Sequence, residues 1–259
     1  STQSPPTQDP VTCIDVSADD STESWIVVGH RSGAVQLWRV TELREVKLIR
    51  TINAHATALL RVCFLSADHQ RFVTLDRAGA LKLNECHRQR LLGGVTVNTH
   101  SVLDGSNGQV EALTVLRAPK PNTNAVGGSL ALADAGGLCA FATPRRCHVI
   151  SLTRDPTERI RYSGIARPAN ASVHANACLA WRGVANTATS AVVPGGSDEP
   201  LLAIAWGSQI QFVRIISHQE FLTTGQWLIE DGATICAVAW LDVQALAVTT
   251  DRDTMLIME

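Results

Sequence analysis

The residue types best suited to chemistry in this 259-residue chain are cysteine and histidine, of which it has seven and eight. Cys86-His87 and Cys147-His148 are adjacent pairs. Because neighbouring side chains of a β-strand point to opposite faces, neither pair can ligate one metal ion. No C-x-x-C pair occurs, and most cysteines lie in apolar runs such as VTCIDV and TICAV, where a thiol behaves as a small hydrophobe. The pattern predicts no metal site and is typical of reduced cysteines in a cytosolic protein.

Sequence motifs for nucleophilic, phosphate or metal chemistry are also missing. The chain contains no G-x-S-x-G, G-x-x-x-x-G-K-[ST], G-x-G-x-x-G or H-E-x-x-H motif. Its glycine pairs fall between predicted strands rather than between a strand and a helix, so they predict turns and not a phosphate cradle. A net charge of -2 and a pI of about 6.4 supply no strong positive field for nucleic acid. We therefore predict a protein that is not an enzyme, needs no cofactor and binds no nucleic acid.

The elements that must position these side chains are repeated β-hairpins, each an apolar strand, a polar or glycine turn and a second apolar strand. The copies begin at Trp25, Arg71, Leu130, Leu201 and Ala245. A further strand precedes each copy, at 11–17, 60–66, 110–116, 177–181 and 234–241, and another follows at 45–52 and 147–152. The polar segments predicted to be loops are 93–109, 117–128, 153–172 and 184–199. Five of the six tryptophans lie in or beside predicted strands, which favours packing between sheets.

Four-stranded units at a period of about 40–45 residues are typical of a WD-repeat β-propeller. The sequence therefore predicts an all-β, WD-repeat-like β-propeller over residues 11–259, preceded by a disordered polar tail at residues 1–10. Five blades are visible where about seven are usual, so we expect the propeller to be incomplete. The predicted blades cover about 11–52, 53–109, 110–172, 173–230 and 231–259.

Three residues match structural positions of a WD repeat. His55 falls where the repeat has its Gly-His pair, Asp68 lies in the turn after the next strand, and Trp38 ends a third strand where the repeat has Trp-Asp. However, Arg39 replaces that Asp, and other repeats carry no Trp at this position, as at Asn84. We therefore expect the hydrogen-bonded Asp-His-Ser/Thr-Trp network to be mostly missing, and the propeller to be a degenerate one held by apolar packing between blades.

Arginines recur in the turns that join the second and third strands of a unit. Arg31, Arg77 and Arg252 occupy such turns, and His30 stands beside the first. These turns project on one rim of a propeller, which predicts a partner surface for an acidic protein or for phosphoinositide headgroups. The alternative is that they are solvated turn residues without a partner. The same two interpretations apply to Arg145, Arg146, Arg159, Arg161 and Arg167.

A longer run, NAHATALLRVCFLSADHQRFVTLDRAGALKLNECHRQRLLGG (53–94), resembles the N-terminal propeller of the vacuolar protein sorting-associated protein 8 family. The resemblance continues in collinear order through 102–116, 129–152, 177–181, 200–215 and 235–258. It implies a non-enzymatic protein-interaction propeller in a subunit of the CORVET endosomal tethering complex, acting in vesicle transport to the endosome or vacuole.

The same resemblance implies partners and a location. The partners would be other tethering-complex subunits and an early-endosomal Rab-type small GTPase, and a phosphoinositide membrane surface is a further candidate. The protein would be cytoplasmic and peripheral on endosomal membranes. Two alternatives stay open: a generic WD-repeat scaffold of another trafficking or signalling complex, and a propeller enzyme or glycan-binding propeller. The last would need acidic or metal-ligating residues at a central channel.

Overall fold

The computed structural model describes residues 9–17, 23–41, 45–65, 71–88, 94–106, 108–116, 137–152, 161–172, 175–182, 200–216, 220–242 and 244–258. Every regular element within these ranges is a β-strand. The chain divides into two compact units, Ser1–Gln109 and Val110–Glu259, which are taken in turn.

Unit 1 contains two antiparallel sheets of four strands, each formed by strands that are consecutive along the chain. Sheet 1 consists of β1 (Val11–Val16), β2 (Glu23–His30), β3 (Ala34–Thr41) and β4 (Val46–Asn53). Sheet 2 consists of β5 (Leu59–Phe64), β6 (Arg71–Asp76), β7 (Ala80–Arg88) and β8 (Val95–Asp104).

Unit 2 contains three antiparallel sheets built on the same consecutive order. Sheet 3 consists of β9 (Ala112–Leu116), β10 (Leu138–Ala142), β11 (Arg146–Ser151) and β12 (Arg161–Ala166). Sheet 4 consists of β13 (Ala177–Arg182), β14 (Leu201–Trp206), β15 (Gln209–Ile215) and β16 (Phe221–Leu228). Sheet 5 consists of β17 (Ile235–Trp240), β18 (Leu246–Thr250) and β19 (Met255–Met258).

The second strand of a sheet is its most buried element. Every residue of β6 and of β14 is buried, because these strands lie between two hydrogen-bonded neighbours. β14 carries apolar side chains on both faces, and in β6 the buried Thr74 and Asp76 are hydrogen-bonded. The fourth strands β4 and β16, paired on one side only, are largely exposed and carry more polar residues. The contrast explains why the alternation of apolar and polar residues is clear in only some of the strands.

Packing between sheets forms the core of each unit. In unit 1, Trp25, Val27 and Leu37 of sheet 1 pack with Phe64 and Phe72 of sheet 2, and the two phenylalanine rings meet edge to face with centroids 6.0 Å apart. Burial of one such ring contributes about 1.5–3 kcal/mol. In unit 2, the corresponding clusters join sheet 3 to sheet 4 and sheet 4 to sheet 5. All six tryptophans lie in strands, and three of them are buried: Trp25, Trp181 and Trp206.

The predicted strand order of the third unit is wrong by one strand. Leu138–Ala142, expected to be a third strand, is the second strand of its sheet, and 147–152, expected to be a fourth strand, forms most of the third. The turn that joins them contains Pro144, which suits the second position of a β-turn. Thr143 closes this turn, since its hydroxyl accepts a hydrogen bond from the Arg146 N–H at 3.2 Å. The hairpin predicted from Leu130 begins outside the described residues.

Two predicted loops contain strands. Residues 93–109 include β8, and residues 153–172 include β12. Both are outer strands with a partner on one side only, and an outer strand can carry polar residues because one edge and much of its surface face water. The segments 117–128 and 184–199, also predicted to be loops, lie outside the described residues.

Candidate interaction surface

The turns between the second and third strands of each sheet, here called the central turns, carry the predicted partner-binding arginines. In an antiparallel sheet of consecutive strands, a central turn lies at the same end of the sheet as the start of the first strand. Each central turn can therefore contact the chain that leads into its own sheet.

The central turn of sheet 1 is fixed by the residues that precede β1. The Arg31 N–H donates to the Pro10 carbonyl at 2.9 Å, and the Ser32 N–H donates to the Asp9 carboxylate at 3.0 Å. The Ser32 hydroxyl also bonds that carboxylate, which lowers the pKa of Asp9. Asp9 and Pro10 were expected to belong to a disordered tail; instead they are docked on this turn, while residues 1–8 lie outside the described residues.

His30 supports the turn from inside rather than offering a surface. Its side chain is buried, at 6% exposure, and its Nδ1 lies 3.0 Å from the Asp9 carbonyl oxygen. A side chain so placed cannot make the direct partner contact expected of it. Arg31 is exposed beside it, so that of the two predicted partner-binding residues here only the arginine is available to a partner.

The central turn of sheet 2 is built in the same way. The Arg77 N–H donates to the Ala58 carbonyl at 2.9 Å, and the Asp76 carboxylate accepts from the Ala80 N–H at 2.9 Å. Gly79 has a φ of 84°, and a Cβ at this position would overlap the carbonyl oxygen of Gly108. Arg77 itself is exposed and is held on a turn with little freedom to move.

The two turns of unit 1 border one connecting segment, residues 54–58. Gly33 of the first turn accepts from the His55 N–H at 3.2 Å, and Ala58 accepts from the Arg77 N–H. Arg31 and Arg77 thus belong to turns on either side of the same short connection. Within the described residues neither guanidinium forms an ion pair.

A buried polar network lies beneath this connection. His55 Nδ1 is 3.1 Å from the Asp76 carboxylate, and His55 Nε2 is 2.8 Å from the Thr74 hydroxyl. Asn84 donates to the same hydroxyl at 3.2 Å, and the Thr99 hydroxyl donates to Asn84 at 2.8 Å. Burial lowers the pKa of His55 from its usual 6.5, against the opposing hydrogen bond and charge of Asp76.

The network was expected to be mostly missing from this propeller, and sheet 2 retains it with Asn84 in place of Trp. Asn84, fully buried, stands on the third strand where a WD repeat has Trp, and its amide donates to the hydroxyl that His55 also contacts. In sheet 1, Trp38 is half-buried and its indole N–H donates to Gln36 at 3.2 Å. Asp68, the third predicted structural position, lies outside the described residues.

Arg252 occupies the central turn of sheet 5 but differs from the other two arginines. Its guanidinium donates to the Asp231 carboxylate and to the Asp231 carbonyl, both at 3.1 Å. Asp251 and Asp253 flank it in the turn, so acidic side chains outnumber the arginine there. Both partners of the ion pair are more than half exposed, and such pairs contribute about 0–1 kcal/mol.

Arg145 and Arg146, which the sequence left open to the same two interpretations as the other arginines, lie at the central turn of sheet 3. Both are exposed: Arg145 follows Pro144 in the turn between β10 and β11, and Arg146 is the first residue of β11. The Thr-Pro pair before them was the signal that could have placed this turn. Arg167, in contrast, is structural: its guanidinium donates to the carbonyl oxygens of Pro144 at 3.1 Å and of Ala175 at 2.8 Å.

Within the described residues, no three His, Cys, Asp or Glu side chains are arranged to hold a metal ion. All seven cysteines are described and are outside disulfides; burial raises the pKa of Cys86 to about 12 and that of Cys147 further. In the described ranges no helix has the length and hydropathy to span a membrane.

Antiparallel sheets of consecutive strands, a His–Asp–Thr network under a central turn and strands buried on both faces define a WD-repeat-like β-propeller. Solved propellers agree. A chain in the crystal structure of the mitotic checkpoint complex is 17% identical with a TM-score of 0.56, over 95% of this chain and 62% of that one. The β-propeller domain of Myceliophteria thermophila Cps50 (Swd1) is 12% identical with a TM-score of 0.56, over 95% and 64%. The present chain thus spans under two thirds of either structure, and at these identities the likeness is one of fold.

The family follows from the sequence comparison. The chain belongs to the Vps8 β-propeller family, whose family model matches residues 1–259. No curated protein sequence matches it significantly. Membership implies a role in a Vps8-containing trafficking complex, and propellers of this kind are generally non-catalytic scaffolds.

Proposed function

We propose that this chain is the protein-interaction propeller of an endosomal membrane-tethering subunit of the CORVET type, acting in vesicle transport to the endosome or vacuole. The observation that carries the proposal is the match of the whole chain to the Vps8 β-propeller family. The family also suggests a cytoplasmic position at the surface of endosomes, as a peripheral protein. No cofactor enters this function.

The central turns are the surface we assign to partner docking. Arg31 and Arg77 are exposed on turns whose backbones are held by hydrogen bonds, so little conformational entropy is lost when they bind. Guanidinium groups form paired hydrogen bonds with carboxylates, which suits an acidic surface on a Rab-type GTPase or another tethering subunit. In unit 2, Arg252 also lies in a central turn, and a partner would have to replace Asp231 as its ion-pair partner.

A pull-down with an early-endosomal Rab-type GTPase tests the proposal. The full-length protein should bind the GTP-locked form and not the GDP-locked form, and R31E/R77E should lose most of this binding. The control K47E/R50E makes the same change in charge at exposed residues of β4 and should bind normally. Binding that ignores the nucleotide would favour a generic WD-repeat scaffold instead.

A further inference from the structure

We propose that Arg145, in the central turn of sheet 3, and Arg146, the first residue of β11, form a docking site for an acidic segment of a protein partner. The inference rests on the proposed function in that it takes the propeller to be an interaction module. It adds to that function a binding site in unit 2, with a stated chemistry.

The two guanidinium groups are adjacent along the chain and exposed. Within the described part of the chain neither forms an ion pair, whereas Arg252 in the central turn of sheet 5 is already paired with Asp231. An unpaired arginine offers a partner its full set of donors, and no existing ion pair has to be broken.

The backbone under these two arginines is fixed on both sides. The Thr143 N–H donates to the Arg146 carbonyl at 2.8 Å, and the Arg167 N–H donates to the Arg145 carbonyl at 2.9 Å. The Arg167 guanidinium reaches across to the Pro144 carbonyl at 3.1 Å. The turn therefore presents both arginines on a rigid support, which reduces the entropy lost on binding.

The nearby carboxylate of Glu111 is buried and already hydrogen-bonded within the protein. The Glu111 carboxylate accepts from the Ala177 N–H at 3.1 Å and lies 3.9 Å from Arg167, and both side chains of this pair are at most 10% exposed. Glu111 thus offsets the buried charge of Arg167, and the charge presented to solvent by the turn is that of Arg145 and Arg146. His148 adds none, because burial and the neighbouring Arg146 lower its pKa below the usual 6.5.

The chemistry of the site favours carboxylates of a protein over an anionic lipid surface. Guanidinium groups match carboxylates with two parallel hydrogen bonds. Binding to an anionic bilayer takes a cluster of about four to eight basic residues, since each contributes about 1 kcal/mol near the surface, and this site presents two. A local acidic segment, in contrast, can reach the two arginines at hydrogen-bonding distance.

Fluorescence anisotropy of the full-length protein tests the inference. The probe is a fluorescein-labelled peptide of alternating glutamate and glycine, and the reference probe carries glutamine in place of glutamate. We expect the glutamate peptide to bind more tightly than the glutamine peptide. R145Q/R146Q should weaken its binding at least fivefold, with an unchanged melting temperature. The control K47Q/R50Q removes the same two charges from exposed residues of β4 and should change binding less than twofold.

Several outcomes would overturn the inference: no binding of the glutamate peptide, equal losses in both double variants, or no loss in R145Q/R146Q. Sedimentation with vesicles containing phosphatidylinositol 3-phosphate measures whether the same two arginines bind a lipid surface instead. If R145Q/R146Q lost vesicle binding and kept peptide binding, the site would be a lipid site. Failure of the proposed function would give a different result. The unaltered protein would not bind the GTPase, while its binding of the glutamate peptide would still depend on Arg145 and Arg146.

Discussion

Replacing Thr74 with valine tests whether the buried network of sheet 2 stabilises this propeller. Thr74 is fully buried, and its hydroxyl is shared by His55 Nε2 at 2.8 Å and by the Asn84 amide at 3.2 Å. Valine has nearly the same shape but no hydroxyl. Both neighbours would then be buried with one hydrogen bond fewer, at a cost of about 1–3 kcal/mol each. Allowing for the polar group that is no longer buried, we expect a loss of about 3 kcal/mol.

Calorimetric melting measures this loss. For a domain of this size about 1 kcal/mol corresponds to about 2–4 °C, so T74V should melt about 6–12 °C lower. The matched control is T99V, the same substitution at the outer end of the same network. Thr99 donates to Asn84 at 2.8 Å but is itself exposed, so T99V takes a hydrogen bond from one buried neighbour instead of two, and the loss should be about half that of T74V, about 1.5 kcal/mol. Equal shifts in the two variants would refute the view that burial makes this network important.

Three further results are expected. Lowering the pH from 7.5 to 5.5 should destabilise the protein through His55, because its pKa is depressed by burial: the unfolded chain takes up a proton near 6.5 that the folded one does not, and stability falls with pH through that range. H55Q should flatten this dependence of the melting temperature, and an unchanged slope would contradict it. In urea unfolding, G79A should lower the free energy of unfolding by at least about 1 kcal/mol more than G108A. Both glycines have a positive φ, but only at Gly79 would a Cβ meet backbone atoms. Equal losses of stability would contradict the close approach of the backbone to Gly79. Iodoacetamide followed by peptide mass mapping should modify exposed Cys236 well before buried Cys147, whose pKa is raised by burial, and the reverse order would count against the described core.

Strand existence could be predicted well from the sequence wherever a strand pair is closed by a compact turn. The hairpins from Trp25, Arg71, Leu201 and Ala245 all form, with the predicted second and third strands. Each combines two short apolar runs with a turn of two to four residues, and β6 and β14 are buried throughout. Local sequence suffices there because hairpin register follows from the turn.

Local sequence was not sufficient to predict the strand order of the third sheet. Its first strand, β9, and its second, β10, are separated by residues 117–137, and an apolar run inside this long separation was paired locally in the prediction. The partner of β10 on that side is distant along the chain, and pairing over such a distance is decided by the core that the whole sheet buries. The strand order consequently needs the three-dimensional structure, although Pro144 marked the correct turn.

In the candidate site, too, features set by neighbouring residues could be predicted from the sequence, and features set by distant contacts could not. The positions of Arg31, Arg77 and Arg252 in central turns could be predicted, because a turn residue is identified by its immediate neighbours. The burial of His30 and the role of Arg167 could not, since each depends on backbone carbonyls: that of Asp9 for His30, and those of Pro144 and Ala175 for Arg167. Side-chain contacts with main-chain atoms leave no pattern of residue types in the sequence.

The same backbone hydrogen bond recurs in sheets whose turn sequences differ. The first residue of the turn donates its N–H to the residue preceding the first strand: Arg31 to Pro10 at 2.9 Å, Arg77 to Ala58 at 2.9 Å and Asp251 to Thr234 at 2.8 Å. A bond between main-chain groups places no demand on the side chains that accompany it. The WD signature can therefore degenerate without loss of the turn, and the side chains of the turn are left to vary with the partner. For this reason, charge reversal at Arg31 or Arg77 should change what the propeller binds while leaving its melting temperature within about 2 °C, as is usual for exposed substitutions away from buried features.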